Sequence, residues 1–216
     1  MAKTQTYISS ELTHFVGRSL SSDEERYKLL VKIIKTGIIR TKHFSKRGQH
    51  RLQRFPRNKI STNETFNLDM VCFCDIPVSD FEIHMKKYSY FGLSFNKEFM
   101  VSQGMRPVYY IPRRTFDRRE YISDIFNSKY LEINDCKEIP TFIRSFLDFE
   151  IFSFIKFFDS EKEDDDPDNY YMEREWRGLD CIEFNVQDIS RIILPSTFIK
   201  RFFQDVPDYN AHVSTT

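Results

Sequence analysis

Glycine is scarce in this chain, six residues in 216, and none stands in a Gly-x-Gly-x-x-Gly pattern, which excludes a glycine-cradled dinucleotide-binding unit. The cysteines, Cys72, Cys74, Cys136 and Cys181, show no Cys-x-x-Cys spacing, so neither a zinc ribbon nor a thioredoxin-type redox motif is written here. No basic-then-apolar leader opens the sequence, and a cytoplasmic protein with reduced thiols is expected. Long apolar runs are missing too. The longest, residues 142–158, is broken by Arg144, Asp148, Glu150 and Lys156, which excludes an ordinary transmembrane helix and predicts a soluble protein with no membrane partner. Net charge is also absent, 32 basic residues balancing 32 acidic ones, so no global field draws the protein to a polyanion and any electrostatic partner must be met locally.

Aromatic residues, by contrast, are plentiful. They make up 16% of the chain, with 22 Phe, and point to a Phe-rich core and strands. The length suits one domain over residues 1–216 with a substantial core. Residues 7–15 alternate as a first strand. Ser21-Ser22-Asp23-Glu24-Glu25 supplies a serine cap and acids for a first helical turn, Leu29, Leu30, Ile33 and Ile34 share one helical face, and Gly37 stops the helix before an extended Ile38-Ile39. Residues 70–77 predict a buried strand closed by a proline, 80–88 a short helix, 91–95, 107–111 and 189–194 further strands, and 196–203 a last helix. A helical insertion is predicted at 121–158, with a break at Glu138-Ile139-Pro140 and Phe142, Phe146, Phe149 and Phe152 tracking one face. Residues 40–66 read as a basic loop, 161–169 as a solvated acidic loop and 207–216 as a frayed tail. The expected class is α+β, with small mixed or antiparallel sheets and flanking helices.

Glu173-Arg174-Glu175-Trp176-Arg177 carries the sharpest chemical signal. If it lies on a strand, the two-residue spacing puts both carboxylates on one face and Trp176 on the other. Such a pair can orient a sugar hydroxyl and stabilise positive charge, or it can sit on a rim paired with Arg174 and Arg177. Thr13 and His14 end the first strand, where an imidazole can bond a ribose hydroxyl or a structural partner. Tyr88 and Tyr90, beside Gly92, can stack on a planar ring or pack before a turn. Arg40, Lys42, Lys46, Arg47, Arg51, Arg54, Arg57 and Lys59 form a stretch without an acid, in which Arg47, Arg51 and Arg54 are candidate phosphate contacts to nucleic acid, with Phe44 and Phe55 interleaved for stacking. Cys72, Cys74 and His84 lack a fourth ligand for zinc, and no metal is expected.

His14 followed by an Ile/Leu helix closed at Gly37-Ile38, with Tyr88 or Tyr90 and Glu175 further on, resembles the His-Tyr-Glu pattern of the ADP-ribosyltransferase superfamily, and Glu173-x-Glu175 resembles the two-glutamate motif of its side-chain-modifying branch. Leu12-Thr13-His14-Phe15-Val16-Gly17, Val71-Cys72-Phe73-Cys74-Asp75-Ile76-Pro77, His84 with Tyr88, Phe91-Gly92, Gly104 with Pro107-Val108, and Glu173-x-Glu175-Trp176-Arg177 are together similar to the bacterial AbiGi family, linked to abortive phage resistance and labelled an antitoxin. The first resemblance implies a transferase-like fold and NAD as substrate, with no metal. Glu175 would stabilise an oxocarbenium-like transition state and Glu173 would position or deprotonate the nucleophile. His14, with Thr13 beside it, would hold the adenosine ribose, Tyr88 or Tyr90 would stack on nicotinamide, and Arg18 or the basic loop would neutralise the pyrophosphate. The second implies a non-catalytic antitoxin that neutralises a partner toxin or contacts nucleic acid. A transferase fold that senses a nucleotide without turnover is the third possibility.

Overall fold

The computed structural model describes residues 9–41, 52–54, 59–62, 66–68, 70–114, 121–163, 166, 169–179 and 181–215. In chain order the elements begin with β1 (Glu11–Phe15), α1 (Asp23–Thr36), β2 (Ile38–Ile39), β3 (Leu52–Arg54), β4 (Phe66–Leu68) and β5 (Met70–Cys74). Then come α2 (Phe81–Lys87), β6 (Gly92–Asn96), α3 (Lys97–Ser102), β7 (Arg106–Pro107), β8 (Tyr109–Pro112), α4 (Ile122–Asp135) and α5 (Thr141–Phe146). The chain closes with β9 (Ile155–Phe158), β10 (Glu175–Leu179), β11 (Ile182–Glu183), β12 (Ile189–Leu194), α6 (Ile199–Asp205) and β13 (His212–Thr215). The class is α+β, as expected.

Seven strands form the main sheet in the order β13-β12-β6-β1-β5-β10-β7. Its pairings are antiparallel except that β13 lies parallel to β12. Leu12, Leu93, Phe95, Phe73 and Ile192 meet the inner face of α1, where Tyr27, Leu30 and Ile34 are buried. The helix starts where the sequence says it should: the Ser22 hydroxyl accepts from the Glu25 backbone N–H, and the Glu25 carboxylate accepts from the Ser22 backbone N–H, a reciprocal cap. It ends at Gly37, whose φ of 63° is left-handed. The Gly37 carbonyl then accepts from the Phe184 N–H, which joins the helix end to the β2–β11 ribbon.

Four expectations are corrected. Helical character in the predicted insertion stops at Phe154, because Ile155–Phe158 is a strand, β9, paired parallel to β8. A β-branched and aromatic tetrapeptide gains more from that pairing than from another helical turn. Phe142 and Phe146 do not face the core either, being 70% and 53% exposed. The tail is not frayed: Tyr209 is buried edge-on against Phe202, its hydroxyl bonds the His212 carbonyl, and β13 extends the sheet. Within the stretch read as a basic loop, β3 and β4 pair as a hairpin and Ile60–Thr62 forms a buried turn; Arg47 and Arg51 lie outside the described residues.

Candidate active site

β1 pairs with β6 along its whole length but meets β5 only where Thr13 faces Cys74. The two central strands part beyond that point, and a cavity of about 260 Å³ opens there. His14 stands in the gap. Its Nδ1 lies 2.8 Å from the Cys72 carbonyl and its ring packs on Phe73. A carbonyl can only accept, so Nδ1 carries the proton and Nε2 keeps a lone pair. Burial lowers the His14 pKa, against the raising effect of the Cys72 carbonyl, and the imidazole is neutral near pH ~7.

Across the gap stand the two glutamates. β10 begins at Glu175, opposite Cys74, whereas Glu173 ends a separate helical turn, Tyr170–Glu173. Arg174 between them is left-handed, with φ 41°, a conformation that costs energy in a residue with a Cβ and recurs at functional sites. The carboxylates do converge, but through a bend at Arg174 rather than through strand alternation. Trp176 packs against the core.

What meets the carboxylates is a lysine. Lys156 Nζ, delivered by β9, lies 2.7 Å from Glu175 Oε2 and also donates to Glu173 Oε2. Arg177 forks onto Glu175, Nε to Oε1 at 2.8 Å and Nη2 to Oε2 at 3.2 Å. Lys87 Nζ, at 2.9 Å, and the Tyr88 hydroxyl both donate to Glu173 Oε1. Tyr110 accepts from the Glu175 backbone N–H at 2.7 Å. Glu173, Glu175 and Lys156 are buried, at 6%, 7% and 8% exposure. Burial opposes ionisation of Glu175, but Arg177 and Lys156 outweigh it and hold the carboxyl at about 2. Glu173 is lowered in the same way, Lys156 being the main counterweight to burial. Burial opposes the charge on Lys156 too, and the two carboxylates override it and raise its pKa. Cys72 opens onto the cavity, yet surrounding protein and then Glu175 push its thiol well up, so it is no ready nucleophile.

Tyr88 is brought to the site and Tyr90 is not. The Tyr88 ring lies parallel to Phe15, with centroids 6.4 Å apart, and the Arg18 guanidinium is 5.1 Å from its centre; its hydroxyl is committed to Glu173, so here it braces a carboxylate. Tyr90 is 41% exposed and lines no part of this cavity. Thr13 is buried with its hydroxyl 2.8 Å from Ser94 Oγ, tying β1 to β6. Arg18 lines a second cavity, about 960 Å³, which shares His14 and Phe15 with the first. That space has an apolar floor of Leu29, Ile33 and Ile38 and basic residues Arg18, Lys32 and Arg40. Of Arg54 only the backbone is described, in β3.

Lys156, Lys87 and Tyr110 are site residues to which sequence reasoning gave no role. Ile155-Lys156-Phe157-Phe158 did hold a signal: a lone ammonium amid apolar neighbours must find buried carboxylates. Among the described residues no group of three or more His, Cys, Asp and Glu can hold a metal ion, and no helix is long and apolar enough to cross a membrane. No curated protein and no solved structure matches the chain. A family profile, described as "Putative abortive phage resistance protein AbiGi, antitoxin", matches residues 41–209. The matched span carries Tyr88, Lys156, Glu173 and Glu175, while His14 and α1 precede it. With most of its length so matched, the chain belongs to the AbiGi family.

Proposed function

We propose that this AbiGi protein acts in abortive infection through a nucleotide-handling cleft of the ADP-ribosyltransferase type, with NAD as substrate and a macromolecular target as acceptor. One observation carries the reading: His14, Tyr88, Glu173 and Glu175 all line the same cavity, and that cavity shares His14 and Phe15 with a larger one that has an apolar floor and basic residues. In this reading a dinucleotide would span the two spaces, with an aromatic base over Leu29 and Ile33, phosphates near Arg18 and a ribose hydroxyl donating to His14 Nε2. Glu175, ionised and buried, would stabilise the cationic sugar as the bond from C1′ to nicotinamide breaks and nicotinamide leaves with the bonding pair. The acceptor's lone pair forms the new bond to C1′, and its proton passes to Glu173.

Incubating the purified chain with NAD and measuring free nicotinamide tests this. Glu175→Gln, which keeps the shape and removes the charge, is expected to lower release by about 10²-fold or more with an unchanged circular dichroism spectrum. No release by the wild type with any acceptor sinks the reading.

A second reading takes the family description at its word: a non-catalytic antitoxin that binds a partner toxin. Its support is the apolar surface of α5 and the turn after it, where Phe142, Ile143, Phe146 and Ile151 are exposed together, an arrangement that marks interaction surfaces. Co-purification of a toxin in the absence of NAD turnover favours this reading.

A further inference from the structure

We propose that Lys156 is a positioning residue that holds Glu173 and Glu175 side by side with both carboxylates ionised, so that neither can donate a proton. The proposal rests on the cleft reading above and deepens it. Two carboxylates crowded into one buried place ordinarily share a proton, since the second charge is repelled by the first. Here the Lys156 ammonium touches one oxygen of each. Each carboxylate also has a cation of its own, Arg177 on Glu175 and Lys87 on Glu173.

Among the described residues, the phenols, thiol and imidazoles near the carboxylates do not supply the missing proton. Burial and the two carboxylates push the phenols of Tyr88, just after α2, and Tyr110, from β8, far up, so both keep their protons. Cys72, from β5, behaves likewise. Burial keeps the imidazoles of His84, on α2, and His14, on β1, neutral. Lys156 is itself set by a strand, with Tyr110 its register partner on β8 and Phe157 fully buried beside it, and a strand fixes an ammonium more tightly than a loop does.

The arrangement selects a substrate class. A leaving alkoxide, or a purine that departs only once protonated, receives no help from a site without a protonated carboxyl. A pyridinium attached through nitrogen departs as a neutral ring and needs none. The NAD proposed above as substrate carries such a leaving group.

The test uses the whole chain carrying 13C-carboxyl glutamate, with the two signals assigned through Glu173→Gln and Glu175→Gln. From about pH 5 to about pH 9 neither wild-type signal is expected to titrate. In Lys156→Met one of them is expected to acquire a midpoint raised by about two pH units or more, and Lys156→Arg is expected to restore the wild-type behaviour. Either carboxyl titrating across that range in the wild type overturns the proposal, as does Lys156→Met leaving both ionised. The wild-type measurement stands even where Lys156→Met fails to fold. Nicotinamide release is followed alongside: its acid limb should move up with the carboxyl midpoint in Lys156→Met. Absence of release from the wild type removes the transferase reading while the carbon signals still decide the role of Lys156.

Discussion

Arg177 reaches Glu175 along its own strand and Lys156 reaches it from β9, and together they keep the carboxyl near 2 against the cost of burial. The linkage has a definite sign. A folded-state value below the ordinary 4.5 means that Glu175 contributes stability at pH above the unfolded value, and that this contribution is lost as pH falls from 4.5 through about 2. His14 and His84 act one window higher. Burial lowers both below 6.5, so below that value the unfolded chain binds more protons than the folded one and stability drops as pH falls. The melting temperature is expected to decline on going from about pH 7 to about pH 5, and His14→Gln combined with His84→Leu is expected to flatten the decline; a slope unchanged in the double variant refutes the assignment. Much at this scale was legible in the sequence. Glu173 and Glu175 announce themselves by type and spacing, His14 and Tyr88 by resemblance, and all four line one cavity. The signal at Lys156 is a weaker one, because a lysine in an apolar stretch names no partner until the carboxylates seventeen and nineteen residues on are seen beside it.

The unit from β1 through α1 to β2 folds as its sequence instructs, since a serine cap, a glycine stop and a four-residue apolar repeat act within a few residues of one another. Gly37 carries two duties there. Its backbone is left-handed, and a Cβ at this position would lie 2.5 Å from the Phe184 carbonyl oxygen. Gly37→Ala is expected to cost about 2 kcal/mol or more, read as a lowered urea midpoint, and a loss below about 0.5 kcal/mol contradicts the packing argument. β9 is the opposite case. Its phenylalanines suit a helix or a strand equally on paper, and the choice is made by β8, more than forty residues earlier in the chain. Glu173 also shows the limit of local reasoning: a period-two pattern foretold the convergence of the carboxylates, yet a left-handed arginine produces it.

Across the whole molecule, the insertion between β8 and β10 joins two features. Its inner part, β9, supplies Lys156 to the buried carboxylates, and its outer part, α5, exposes Phe142 and Phe146. Phe142→Glu with Phe146→Glu is expected to leave stability within about 0.5 kcal/mol, because neither ring is in the core, while abolishing capture of a partner toxin if the antitoxin reading holds; capture undiminished by the pair places the interface elsewhere. The sequence by itself determined the α+β class, the capped helix and its glycine stop and the strand at residues 189–194, since each depends on propensities and periodicities acting over a few positions. Only the tertiary structure decided that β1 and β5 part after Thr13, that the tail returns as β13, and that one ammonium sits between two glutamates. Those outcomes depend on contacts between segments far apart in the chain, where burial and charge pairing outweigh local preference.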